Sequence, residues 1–151
     1  MLVIGSDHAG FELKAEVVKY LTGNNIPFKD LGTCDGSVSV DYPDFGLAVA
    51  EAVSSGEYEK GVIICGTGIG ISISANKVPG IRAALCTDSY MARMSREHND
   101  ANILALGDRV IGKGLAIEIL DAWLKTSFLG GRHKTRVDKI TAIEKKYSKI
   151  I

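Results

Sequence analysis

Residues 62–70 read Val62-Ile63-Ile64-Cys65-Gly66-Thr67-Gly68-Ile69-Gly70: an apolar run, then a thiol, then glycines at alternate positions. The pattern predicts a buried strand that turns directly into a helix, which we expect to run from about Ile69 to Lys77. Glycines in such a turn let successive backbone N–H groups approach a ligand, and the helix that follows adds its positive end. Thiolate is also favoured beside a helix N-terminus. The segment therefore predicts an anion site together with a candidate base or nucleophile.

This glycine-rich turn differs from two well-known phosphate-binding motifs. Its spacing is not Gly-x-x-x-x-Gly-Lys-Ser/Thr, which argues against a nucleoside-triphosphate P-loop. The turn does not follow the first strand, and no acidic residue in a second strand suits a ribose hydroxyl, so the dinucleotide fingerprint fits poorly. On the turn alone, a purely structural interpretation stays open, with Cys65 packed as a small hydrophobe.

Composition excludes several classes of protein. The 151 residues carry 18 Lys plus Arg and 18 Asp plus Glu, so no net basic charge attracts nucleic acid or an anionic membrane. No apolar stretch approaches the roughly 20 residues of a membrane span, and residues 1–5 lack the basic region of a signal peptide. Three cysteines without Cys-x-x-Cys spacing argue against a disulfide framework and a zinc site. We expect one domain over residues 1–151, located in the reducing cytoplasm.

Apolar runs alternate with helical patterns along the chain, which is typical of a doubly wound, Rossmann-like α/β domain. We expect five parallel strands with helices on both faces and a C-terminal helix. The predicted strands are Met1–Gly5, Pro27–Leu31, Val62–Ile64, Ala83–Cys86 and Ile103–Leu106. Helical spacing marks residues 13–21 and 45–52, then 69–77, 89–98 after a possible N-cap at Asp88, 115 to about 130, and 135–147. Ligands of such sheets bind outside the carboxyl ends of the strands, where the strand order reverses.

Polar or reactive side chains follow the predicted strands at this edge. Asp7-His8 follows the first strand, Cys65 the third, and Asp108-Arg109 the fifth. Tyr42 lies in the second crossover. Each has a structural alternative, for example a helix N-cap for Asp7. Gathered around one edge with the cysteine turn in the middle, they indicate a functional site.

A basic segment at residues 130–136, Gly-Gly-Arg-His-Lys-Thr-Arg, breaks a local rule. Positive side chains in the first turn of a helix oppose its macrodipole, and such violations often mark function. Arg132 and Arg136 are four residues apart and so project from one helical face, which suits the binding of a phosphate. A basic surface turn is the structural alternative.

The predicted topology separates three of the candidate residues from Cys65. The helix over residues 89–98 starts at the carboxyl edge of the sheet and must end near the opposite edge, which places His98 far from Cys65 of its own chain. Arg132 and Arg136 follow the end of the fifth helix and are expected at that opposite edge too. If these groups serve the Cys65 site, a second copy of the chain must supply them.

Further motifs stand in one order along the chain, and they make a family resemblance specific. They are Gly5-Ser6-Asp7-His8-Ala9-Gly10-Phe11, Asp41-Tyr42-Pro43, Cys65 to Ser72, Ala75-Asn76-Lys77, Arg96-Glu97-His98-Asn99-Asp100 and Gly130-Gly131-Arg132-His133. With these motifs over essentially its whole length, the chain resembles the type B ribose-5-phosphate isomerases, which belong with galactose-6-phosphate isomerase. The resemblance implies an aldose–ketose isomerase without cofactor or metal, forming a homodimer or a tetramer and acting on a small sugar phosphate.

The resemblance also implies roles for individual residues. Cys65 matches the base that moves a proton between C1 and C2, with Thr67 as its hydrogen-bonding neighbour. His98 matches the ring-opening histidine, and Asp7 assists at the sugar hydroxyls. The implied substrate contacts are the backbone amides from Gly66 through Gly68 to Gly70, the phosphate ligands His8, Arg132 and Arg136, and further contacts from Arg109, Asn99 and Tyr42. One branch of the family uses a glutamate base just beyond the loop, but Ile71 stands at that position here.

Three alternative functions stay open from the residues. An isomerase of a six-carbon substrate, such as allose or galactose 6-phosphate, would need a longer pocket. A phosphate-binding module without catalysis would use the thiol only for packing. Thiol redox chemistry would need a second cysteine near Cys65, and Cys86 is a candidate if the fold brings it close.

Overall fold

The protein, described here by a computed structural model for residues 1–148, is built on one five-stranded parallel sheet. The strand order is β2-β1-β3-β5-β4, and every neighbouring pair is parallel. The strands are β1 (Leu2–Ser6), β2 (Phe28–Asp30), β3 (Lys60–Cys65), β4 (Ala83–Leu85) and β5 (Ile103–Gly107). The helices are α1 (Phe11–Gly23), α2 (Tyr42–Ser54), α3 (Ile69–Ala75), α4 (Ser89–Glu97), α5 (Lys113–Lys125) and α6 (Arg132–Tyr147).

The central strands are buried on both faces because helices cover both sides of the sheet. Successive side chains of a strand point to opposite faces, so each strand contributes to two apolar clusters. Ile4, Ile64 and Leu106 pack on one face against α1, α4 and α5. Val3 and Ile63 pack on the other face against α2 and α3. Each large apolar side chain buried in this way stabilises the fold by about 1.5–3 kcal/mol.

The structure confirms the doubly wound α/β fold with a C-terminal helix, and it confirms the N-cap at Asp88, which accepts the Met91 N–H at 2.7 Å. The prediction that α5 continues to Gly130-Gly131 is wrong, because α5 ends at Lys125. Residues 126–131 instead contact α4: Thr126 O accepts from Arg96 Nε at 3.3 Å, and Leu129 N–H donates to Glu97 O at 3.2 Å.

Two smaller boundary predictions also need correction. Helix α3 ends at Ala75 and not at Lys77. Helix α6 begins at Arg132 and not at Thr135, directly after two glycines with positive φ, Gly130 at 66° and Gly131 at 55°. The predicted domain end at residue 151 lies outside the described residues.

The strand order reverses between β1 and β3. The chain leaves β1 for β2 on one side and returns to place β3 on the other side. A crevice therefore opens beyond the carboxyl ends of these two strands, where Asp7 follows β1 and Gly66 follows β3. The sequence around Cys65 thus lies at the position where folds of this kind bind ligands.

Candidate active site

Cys65 is the last residue of β3, and its side chain is held by the turn that follows. The residue is 4% exposed, and Sγ accepts a hydrogen bond from the Gly68 N–H at 3.1 Å. Helix α3 begins at the next residue, Ile69. Cys65 Sγ therefore lies at the beginning of a helix, with a backbone N–H directed at it.

The turn requires glycine at two positions. Gly68 has φ of +77°, and a Cβ there would lie 2.9 Å from the Leu106 carbonyl carbon. A Cβ on Gly70 would lie 2.2 Å from the Tyr42 ring, so the tyrosine packs directly over the glycine. The sequence pattern of alternate glycines therefore reflects close approach of backbone and aromatic ring.

Some backbone amides of the turn donate to groups of the protein, and others are available to donate to a ligand. The Gly68 N–H is used on Cys65 Sγ, and the Ile69 N–H donates to Thr67 Oγ1 at 3.2 Å. Within residues 1–148, the amides of Gly66, Thr67 and Gly70 have no protein acceptor. Of the backbone amides from Gly66 to Gly70 that were expected to bind the substrate, three therefore remain as donors for a ligand oxygen.

Asp7 and His8 reach the same crevice from β1. Asp7 is 7% exposed, and its Oδ1 accepts the Gly10 N–H at 3.0 Å, so the carboxylate partly serves the turn into α1. The His8 Nδ1 accepts the Val40 N–H at 3.1 Å. This hydrogen bond fixes the tautomer, because a neutral ring that accepts at Nδ1 carries its proton on Nε2.

These groups line one cavity of about 1020 Å³. The Arg109 side chain extends over Gly66, with Nη1 3.4 Å from where a Cβ of that glycine would stand. The backbone N–H of Arg109 donates to the Gly66 carbonyl oxygen at 2.9 Å. Asp108 does not line this cavity, since its Oδ2 accepts the Leu13 N–H at 3.1 Å. The sequence-predicted residues that the structure brings together here are Asp7, His8, Tyr42, Cys65, Gly66, Thr67, Gly70 and Arg109.

His98 and Asn99 lie at the other edge of the sheet. His98 follows the last residue of α4. The carbonyl oxygen of the next residue, Asn99, accepts from Nε of Arg82 at 2.9 Å, and Arg82 directly precedes β4. The next turn also contacts the start of β3, because Asn102 O accepts the Gly61 N–H at 2.9 Å. Since β3 spans about 17 Å at 3.3 Å per residue, His98 does not meet Cys65 within one chain.

Arg132 and Arg136 belong to this second edge as well. Both are exposed on the first turns of α6, and neither has an acidic partner within residues 1–148. Between them, His133 stacks on His98, with ring centroids 4.2 Å apart and an interplanar angle of 11°. His98, Arg132 and Arg136 therefore form one group, separate from the cavity of Cys65.

Comparison with known proteins identifies the family to which this chain belongs. The Ribose/Galactose Isomerase family matches residues 2–140. The chain belongs to this family. Among its relatives is ribose-5-phosphate isomerase B of Escherichia coli, 50% identical over 96% of this chain and 97% of that protein. A D-erythrulose-4-phosphate isomerase of Pectobacterium atrosepticum is 42% identical over 92% and 91%. The solved structure of Clostridium thermocellum ribose-5-phosphate isomerase B superposes with a TM-score of 0.94, at 66% identity and 97% and 98% coverage.

Cys86 of this ribose/galactose isomerase family member does not join Cys65. Cys86 packs into the apolar cluster on the α1 and α5 face, whereas Cys65 belongs to the cluster on the opposite face. Burial raises the pKa of the Cys86 thiol to about 11, which keeps it protonated at neutral pH. The expectation that Cys86 could approach Cys65 is therefore wrong, and thiol redox chemistry loses its second cysteine.

Two features of the site had no signal in the sequence. Val40 orients His8 through its backbone amide from 32 residues away, and an amide donor cannot be recognised from residue type. His133 is 6% exposed and stacks on His98, a contact between residues 35 positions apart that no local pattern indicates. Within residues 1–148, no three His, Cys, Asp or Glu side chains are grouped to hold a metal ion, and no helix is long and apolar enough to cross a membrane.

Proposed function

We propose that this chain is a type B ribose-5-phosphate isomerase that interconverts ribose 5-phosphate and ribulose 5-phosphate through an enediolate. The observation that carries the proposal is the buried Cys65 sulfur, which accepts an amide N–H and faces the cavity at the switch point of the sheet. The names of the Escherichia coli and Clostridium thermocellum relatives support the choice of substrate.

In this proposal Cys65 is the base. Its sulfur takes the proton from C2 of the open-chain aldose and returns it to C1, which converts the aldose to the ketose. Asp7 accepts the proton of the O2 hydroxyl and returns it to O1, so that the enediolate becomes the ketose without net loss of protons. The amides of Gly66, Thr67 and Gly70 donate to the oxygen on which charge develops, and each such donor is worth about 3–4 kcal/mol in the transition state.

The phosphate binds between His8 and the guanidinium groups of three arginines. His8 donates from Nε2, because its Nδ1 is already occupied by the Val40 amide. Arg109 lies beside it at the rim that this cavity shares with an adjoining cavity of about 610 Å³. Arg132 and Arg136 complete the phosphate site from a second chain, and Tyr42 closes the side of the sugar. Guanidinium groups suit this task because their planar donors match phosphate oxygens.

Ring opening requires a proton transfer to the ring oxygen, and we assign it to His98 of a second chain, with Asn99 beside it. The protein is then a homodimer with two composite sites. Exposed apolar side chains support a partner: Ile69 and Ile73, 52% and 55% exposed, form the rim of the Cys65 cavity. Large apolar groups exposed together on a surface are typical of an interface.

The experiment that tests this proposal compares ring-forming and open-chain substrates. Ribose 5-phosphate closes a five-membered ring through O4, but erythrose 4-phosphate cannot, because its O4 carries the phosphate. The relative named for a four-carbon substrate makes this compound a sensible probe. We expect His98→Ala to slow turnover of ribose 5-phosphate by about 10²–10⁴-fold and to leave turnover of erythrose 4-phosphate nearly unchanged.

The same assay also separates the alternative substrates. Purified protein is assayed with erythrose 4-phosphate, ribose 5-phosphate, allose 6-phosphate and galactose 6-phosphate under one set of conditions. The proposal expects the highest kcat/KM for ribose 5-phosphate. A preference for a six-carbon substrate would contradict the assigned substrate. Equal losses on ring-forming and open-chain substrates in His98→Ala would contradict the assigned ring-opening role.

A further inference from the structure

The stacked pair His98–His133 joins two elements that are distant in sequence. His98 follows α4, and His133 is the second residue of α6. The rings lie 4.2 Å apart and within 11° of parallel, so the flat face of one covers the flat face of the other. Such a contact covers a face of the His98 ring and leaves the ring edge, which carries both nitrogens, uncovered by His133.

The position of His133 is fixed by its surroundings. The residue is 6% exposed, although its neighbours Arg132 and Lys134 are exposed. The backbone N–H of His133 donates to the Gly130 carbonyl oxygen at 3.0 Å. The preceding loop is attached to α4 by the hydrogen bond from the Leu129 N–H to the Glu97 carbonyl oxygen. A buried ring on an anchored turn is a rigid support, whereas His98 is only half-buried and ends its helix.

We propose that His133 is a positioning residue for His98: its buried ring fixes the plane in which His98 presents its nitrogens to the sugar ring. The proposal rests on the ring-opening role proposed above for His98. His133 does not touch the substrate, and it acts by restricting the rotation of the His98 side chain. Displacement of a reacting group by about 1 Å can cost about 100-fold in rate, so a fixed ring plane has a measurable effect.

The charge state of His133 suits a support better than a phosphate ligand. Burial lowers the pKa of His133 below its usual 6.5, and the neighbouring charges of His98, Arg132 and Arg136 lower it further, while Glu97 acts in the opposite direction. His133 is therefore neutral near pH 7. A neutral imidazole is a weaker partner for a phosphate than a cation, which agrees with a packing role for His133.

A matched pair of variants isolates the flat ring. His133→Phe and His133→Leu both fill the buried site with an apolar side chain and both remove the ring nitrogens, but only Phe keeps an aromatic face. We expect His133→Leu to slow turnover of ribose 5-phosphate by between about 10-fold and about 100-fold. His133→Phe is expected to retain most of the wild-type turnover. Neither variant should change turnover of erythrose 4-phosphate, which needs no ring opening.

Two further readouts exclude a merely structural effect. The variant with both His98→Ala and His133→Leu should be no slower than His98→Ala alone, because the second residue acts only through the first. In NMR spectra, the His98 Cε1–H signal should move when Leu removes the ring current and stay near its wild-type position with Phe. Free energies of unfolding check that each variant is folded.

The neutral state of His133 has a separate test in stability. Because the pKa of His133 is lower in the folded state than the usual 6.5 of the unfolded state, the unfolded chain binds the proton first as the pH falls. The free energy of unfolding should therefore fall below about pH 6.5 in the wild type. His133→Phe should show a smaller fall.

The outcomes separate this proposal from the one on which it rests. If His98→Ala is selective for the ring-forming substrate but Phe and Leu at position 133 are equally slow, the positioning role is wrong. Equal losses on both substrates in both variants would make His133 a phosphate ligand instead. If His98→Ala itself shows no selectivity, the ring-opening role fails, and the NMR shift alone then reports whether the two rings stack in solution.

Discussion

At the scale of single residues, Cys65 combines burial with an anion-stabilising contact. Serine at this position keeps the size of the side chain, but a hydroxyl holds its proton far more tightly than a thiol and is a poor base at neutral pH. We expect Cys65→Ser to lower kcat for ribose 5-phosphate by about 10²–10⁴-fold while substrate binding, measured by calorimetry, persists. Cys34→Ser is the matched control, since Cys34 is exposed and lies outside the Cys65 cavity. Near-normal turnover in Cys65→Ser would remove Cys65 as the base.

Single residues also show what sequence can and cannot predict about a site. Cys65 and the glycines after it were recognisable because the turn needs those residue types at those positions. The tautomer of His8 depends on the amide of Val40, and every non-proline residue carries an amide. The stack of His133 on His98 depends on tertiary packing across 35 residues of chain. Contacts that any side chain or backbone group could make carry no sequence signal.

At the scale of elements, the turn from β3 into α3 is the part whose shape the site depends on most. Alanine at Gly68 would force a side chain into a positive φ and place Cβ 2.5 Å from Leu85 Cδ1 and 2.9 Å from the Leu106 carbonyl carbon. The leucine side chain can move, but the backbone of β5 cannot. We expect Gly68→Ala to cost about 1–3 kcal/mol in the free energy of unfolding and to abolish turnover by displacing the amide that contacts Cys65.

The matched control for this substitution is Gly56→Ala. Gly56 has φ of +82°, but a Cβ there would meet nothing within 4 Å. It therefore carries the backbone strain without the collision and lies outside the Cys65 cavity. Urea unfolding and turnover are measured for both variants. Equal destabilisation, with turnover retained in both, would show that the turn tolerates a side chain and that the close approach to β5 is not required.

Element boundaries show where local pattern gives way to tertiary contact. The glycines at 130 and 131 predicted the end of α5, but they mark the beginning of α6. Helix α5 ends earlier because Thr126 adopts extended backbone, with φ of −99° and ψ of 133°, and its carbonyl is held by Arg96 of α4. A helix end that depends on a contact between the Thr126 carbonyl and an arginine of another helix cannot be predicted from the local sequence.

At the scale of the whole molecule, alternation of strands and helices predicted a parallel sheet but not its order. The position of β5 between β3 and β4 depends on how the helices pack, and no residue pattern encodes it directly. The separation of the two edges was predictable nonetheless, because each helix of such a fold must return across the sheet. Asn99, which directly follows His98, accepts from Arg82, and Asn102 contacts the start of β3, whereas Cys65 lies at the end of β3.

This separation leads to a complementation prediction for the proposed dimer. Each site takes Cys65 from one chain and His98 from the other, so Cys65→Ala and His98→Ala homodimers each lack a complete site for ribose 5-phosphate. After subunit exchange in a 1:1 mixture, about half of the dimers are mixed and each has one intact site, so activity should rise to about a quarter of wild type.

As control, a chain carrying both substitutions is mixed with wild type. A composite site leaves only the wild-type homodimers active, about a quarter of the total, whereas a site within one chain leaves about half of the sites active. Size-exclusion chromatography with light scattering measures the assembly, and mass spectrometry of the native dimers confirms exchange. No recovery of activity after confirmed exchange would show that His98 of the second chain does not serve the Cys65 site.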